Sequence, residues 1–105
     1  MIDAACFIAT KLEAFASPTR EHAGDLHASH DLEDVISIVD GRTSIVDEVA
    51  ASHDEVRRFI VERFAALQLM PSFQHALVGH LGGDAERSVI VGARVREIAG
   101  LGPRP

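Results

Sequence analysis

"SVIVGARV", Ser88 to Val95, is the stretch on which the fold class turns, because its β-branched residues suit a short strand. A strand needs a neighbour to pair its backbone N–H and C=O groups, and no second strand pattern occurs elsewhere in the 105 residues. The stretch is therefore assigned to a helix running from Ala85 to Ala99, with Gly100 after it. The chain is then all-α, a compact bundle of about five or six helices.

Working back from that helix, "HLGGD", His80 to Asp84, is a break. Val56, Phe59, Ile60, Arg63, Phe64 and Leu67 recur at helical spacing up to Met70, and Pro71 fits the first turn of a further helix carrying Phe73, Ala76 and Leu77. "SHDE", Ser52 to Glu55, has the form of a capping box, and Thr43 or Ser44 opens a short helix with Ile45, Val46 and Val49 inward. His30 to Asp40 is helical through Leu32, Val35, Ile36 and Val39. Ser29 or Asp31 caps its start, and Gly41 suits a left-handed stop. After Asp3, Ala4 to Ala16 is apolar nearly all round, so this first helix is expected to be central. Residues 17–29 lack any period and read as a loop, in part disordered, and 102–105 as a frayed tail of one domain spanning 1–105.

The formal net charge of −6 conceals an asymmetry. Residues 1–55 hold twelve acids against three bases, whereas 56–105 hold four acids against seven bases. Only the second half, around Arg57, Arg58, Arg63, Arg87, Arg94 and Arg96, could offer a basic surface. Arginines spread over helices read as a solvated face, so nucleic acid is not an expected partner. No apolar run is long enough to cross a bilayer and no basic flank precedes the N-terminal apolar stretch, so a cytoplasmic protein without a membrane partner is expected. The single Cys6 excludes an internal disulfide and a Cys-based zinc site.

Two groups of residues invite chemistry. His22, His27 and His30 crowd "HAGDLHASHDLED", His22 to Asp34, but their spacings of five and three are not those of a rigid helical metal face, and they read as solvated, with no metal assigned. His53, His75 and His80 read as helix-end or surface residues. Lys11, the only lysine, falls between Phe7 and Phe15 at four-residue spacing, so its stem lies on apolar surface. An unpaired ammonium there would be costly, and Asp31 and Asp34, on one side of the second helix, are the acids that could meet it. Such a pair is either a structural salt bridge between two helices or a lysine and acid that hold a nucleotide's phosphates.

"FIATKLEAFASPTR", Phe7 to Arg20, followed by "SHDLEDVISIV", Ser29 to Val39, resembles the two later motifs of the AbiEii/AbiGii-type toxin nucleotidyltransferases. Those motifs are an apolar helix bearing Lys-Leu-x-Ala with an arginine downstream, then a helix opening Asp-x-x-Asp and an apolar residue. The likeness covers about a third of the chain. It implies that Lys11 corresponds to the family's active-site lysine, with Arg20 beside it on the nucleotide, Asp31 to the acid opening the last motif and Asp34 to a second, structural acid. In the family these motifs lie in a helical C-terminal half, behind an α/β half that carries a Gly-Ser motif and Asp-x-Asp metal ligands. No such motif precedes Lys11, and Asp31 and Asp34, three apart on a helix, cannot reproduce a pair from alternate strand positions. A histidine also stands before Asp31 where many relatives have a basic residue.

The expected function is thus a truncated or stand-alone helical half of a nucleotidyltransferase-like toxin, not catalytic alone, with a remnant phosphate or nucleotide site at Lys11 and Asp31 and no bound cofactor. A helical interaction module, such as a homodimer, one half of a two-polypeptide enzyme joined by a separate catalytic or antitoxin protein, and a metal-binding protein using His22, His27 and His30 are the alternatives.

Overall fold

The computed structural model describes residues 3–19, 24–26 and 28–101. These form six helices and no strand: α1 (Ala4–Ala16), α2 (His30–Gly41), α3 (Ile45–Ala50), α4 (Asp54–Gln68), α5 (Phe73–His80) and α6 (Ala85–Ala99). Ser88 to Val95 is helical, as the missing partner strand requires. The expectations for Arg20, His22, His27 and residues 102–105 lie outside the described residues, and that for the 17–29 loop partly so.

Four of the six helices start on a side-chain cap, the exceptions being α3 and α5. Asp3 accepts from the Cys6 N–H at 2.8 Å, Ser29 from the Leu32 N–H at 3.2 Å and Asp84 from the Arg87 N–H at 3.0 Å. Three starts and stops differ from the sequence expectation. Ser52 does not form a capping box, because its hydroxyl turns back to donate to the Val49 carbonyl at 2.6 Å; His53 caps α4 instead, its Nδ1 accepting from the Glu55 N–H at 3.3 Å. Pro71 lies before Ser72, the residue at the start of α5, and so outside the first turn of that helix, whereas Ser44 opens α3 as expected. Gly41 is the last residue of α2 and not a left-handed stop: the Arg42 N–H continues the ladder to the Ile38 carbonyl at 3.1 Å. Left-handed backbone occurs at Gly82 and Gly83, with φ of 68° and 82°, which turn the chain between α5 and α6.

One hydrophobic cluster draws on every helix, with Ile8, Leu12, Leu32, Val39, Ile45, Val49, Ile60, Phe64, Phe73, Leu77, Val91 and Ile98 almost fully removed from water. Each such large side chain contributes about 1.5–3 kcal/mol by burial. The first helix packs on α2, α3 and α4, and α6 is equally central, packing on α2, α3, α4 and α5. The β-branched run explains this role: Val91 and Val95, with Ile98, face the core, whereas Val89 and Ile90 point outward. Alternation of that kind at helical period is what separates a packed helix from a strand.

The loop before α2 is less solvated than its composition suggests. Leu26 joins the core, and the His80 Nε2–H donates to its carbonyl at 2.7 Å, so α5 holds the loop in place. The Gly24 N–H reaches the Phe15 carbonyl at 2.9 Å and ties the same loop to the end of α1.

Candidate functional site

Lys11 projects from α1 toward the first turns of α2. Its Nζ lies 3.0 Å from Asp34 Oδ2 and 3.7 Å from Asp31 Oδ1, so both candidate acids meet the same ammonium. The Lys11 side chain is 27% exposed, Asp34 47% and Asp31 7%, which makes Asp31 the buried member. Two local causes produce this geometry. Ser29 caps α2 and leaves Asp31 in its first turn, where the positive end of the helix dipole favours a carboxylate. On α1, Phe7 sits four residues before Lys11, and the ammonium lies 5.5 Å from its ring centroid, so the lysine stem runs over apolar surface with a cation–π contact.

Among the described residues, two carboxylates thus face one ammonium. The ammonium has three N–H donors, and Asp34 takes the best of them at hydrogen-bond distance. A third donor can meet an incoming anion, while the two nearby carboxylates oppose a phosphate through their charge. Arg20, the other residue expected on the nucleotide, is outside the described residues.

The histidine group does not contribute here. His30 is exposed with its Nδ1 3.3 Å from Glu33 Oε2, and among the described residues no set of three or more His, Cys, Asp or Glu side chains could hold a metal ion. Cys6 is half-buried, and the neighbouring Asp3 carboxylate pushes its thiol above the ordinary range, so it is not an activated nucleophile.

Two features escaped the sequence reading. The first is how α6 holds the end of α2: Arg94 Nη1 donates to the carbonyls of Val39 at 2.8 Å and Asp40 at 3.0 Å, and Arg87 pairs with the Asp40 carboxylate, its Nε 3.2 Å from Oδ1. The Arg87 guanidinium holds the Asp40 carboxyl below the usual carboxylate range, with partial burial opposing and Arg94 assisting. The signal was present, since an aspartate at a helix C-terminus opposes the dipole and needs a nearby cation. These contacts, with the burial of Arg57 on α4, correct the view of the basic half as only a solvated face.

The second is an open groove between α1 and α4. Cys6, Ala9 and Thr10 of α1 face Val56 and Phe59 of α4 across a volume of about 280 Å³, with Glu13 and Glu55 on the rims. One turn further along the same helices, Phe15 and Ala16 face Arg63, Ala66 and Met70 across a second hollow of about 130 Å³. The Arg63 guanidinium lies 5.1 Å from the Phe59 ring centroid between the two. Neither Glu13 nor Glu55 takes part in an ion pair among the described residues. Just past the groove, Leu69 is 85% exposed. No sequence periodicity would reveal this groove, because it arises from how two amphipathic faces meet.

No helix among the described residues is long and apolar enough to cross a membrane. Comparisons with protein-family models, curated proteins and solved structures each give no match.

Proposed function

We propose that this chain belongs to the helical part of a nucleotidyltransferase-like toxin, and that Lys11 with Asp31 is a remnant phosphate-contact site. The supporting observation is the convergence of Lys11, Asp31 and Asp34, three residues singled out by motif resemblance, at one point between α1 and α2. Titration calorimetry of the chain with ATP and Mg²⁺, alone and after Lys11→Ala, tests this. Heat of binding that disappears in a folded Lys11→Ala variant supports it. No binding in either protein, with Lys11→Ala merely less stable, would leave the lysine as a helix-to-helix salt bridge.

A second reading, a helical protein-interaction module, is favoured by a separate observation, the open α1/α4 groove with Leu69 beside it. Under this reading the partner is a second copy or a separate catalytic or antitoxin protein. Sedimentation of the purified chain distinguishes self-association from a monomer awaiting its partner.

A further inference from the structure

The α1/α4 groove has an apolar floor and an uneven charge pattern along its length. At the end where α4 begins, the floor is Cys6, Ala9, Val56 and Phe59, and carboxylates rise on both sides, Glu13 from α1 and Glu55 from α4. Toward the other end, past the Arg63–Phe59 contact, a second hollow is lined by Ala66 and Met70, and among the described residues its one charged lining side chain is Arg63. From Val56 to Met70 the α4 wall spans about 20 Å, the length of roughly four helical turns. Dimensions and lining of this kind are those by which an apolar groove accepts an amphipathic helix.

Resting on the interaction-module reading, we infer that this groove docks an amphipathic helix of another protein, with lysines or arginines placed against Glu13 and Glu55 and apolar residues on Phe59. Charge complementarity selects this occupant. Among the described residues, two carboxylates that join no ion pair stand against one arginine and leave the lining of the groove acidic. A two-fold copy of the groove would set the single Arg63 against two carboxylates and leave the surplus negative charge doubled across the contact. A basic helix removes that surplus. Arg63 then faces the far end of the docked helix, where an acidic or polar residue fits, which gives the contact a direction as well as a sign.

Two synthetic 14-residue helical peptides with the same leucine and alanine face test this, one flanked by lysine and the other by glutamate, titrated against the intact chain by fluorescence anisotropy. The lysine peptide is expected to bind more tightly. Glu13→Gln with Glu55→Gln should weaken it about fivefold, the size expected of two rim charge pairs. Glu86→Gln with Glu97→Gln, acids exposed on α6, should leave binding unchanged. Circular dichroism verifies that these surface variants fold. Equal binding of the two peptides, or equal loss from the α6 pair, would reduce the effect to bulk acidity and overturn the proposal. So would a dimer in sedimentation that Phe59→Asp disperses, since the groove would then be covered by a second copy while the broader interaction-module reading survived.

Discussion

Lys11 and Asp31 form an unequal pair: the ammonium keeps 27% of its side chain in water, whereas the carboxylate that it faces at 3.7 Å keeps 7%. The penalty for breaking such a pair falls on the buried partner, so the variants on the two sides of the cluster are not equivalent. Lys11→Met keeps the apolar stem and removes the charge that Asp31 faces, and is expected to cost about 1–3 kcal/mol. Asp34→Asn, at the 47% exposed member, should cost about 0.5 kcal/mol or less. Urea unfolding of the two variants reads the difference, and equal costs would show that Lys11 does not support the buried carboxylate.

Arg94 replaces the glycine stop that α2 does without. Its guanidinium satisfies two carbonyls at the helix end, Val39 and Asp40. Arg94→Leu, which retains most of the side-chain bulk, should destabilise the chain by about 1–2 kcal/mol through those orphaned carbonyls. Amide exchange should quicken in the last turn of α2 before it does in α1. A uniform increase over all helices would contradict a local capping role.

Acid unfolding should carry the mark of Asp40. Its carboxyl is held below the usual carboxylate range in the folded chain by Arg87 and titrates near the ordinary value when unfolded. A folded-state value that is depressed gives stability that is present above the unfolded value and is lost as pH falls through the folded one. Asp40→Asn should therefore be less stable than the parent at neutral pH, with the gap narrowing below about pH 4. Chemical denaturation at pH 7 and pH 3 measures it, and a gap independent of pH would assign the effect to packing.

Phe64 lies at the meeting of α4 with the core and is 1% exposed. Phe64→Ala should cost about 3–5 kcal/mol, a large share of the stability of a domain this size. Loss of the cooperative thermal transition is the expected readout. A shift of only a degree or two would mean that the core repacks around the cavity.

Helix positions in this chain are legible in sequence because they depend on interactions within a few residues. The apolar repeats of α2 and α4 and the caps at Asp3 and Ser29 are of this type. The meeting of Lys11 with Asp31 and Asp34 was legible for a different reason: a lone lysine amid phenylalanines demands a partner, and few acids sit on an adjacent helix face. Where two local options competed, sequence was a weaker guide. Ser52 could cap a helix or bond backward to Val49, and both are local hydrogen bonds of similar strength, so the decision fell to the path of the turn.

The sequence by itself determined the all-helical class, the boundaries of most helices and the pairing of Lys11 with acids of α2, since periodicity, capping chemistry and the cost of an unpaired ammonium act on short stretches. Tertiary structure alone decided that α6 shares the centre of the bundle, that Arg87 and Arg94 close the end of α2, and that α1 and α4 leave a groove rimmed by Glu13 and Glu55. Those features join residues far apart in the chain, and their geometry depends on how amphipathic helices fit against one another once the shared core has formed.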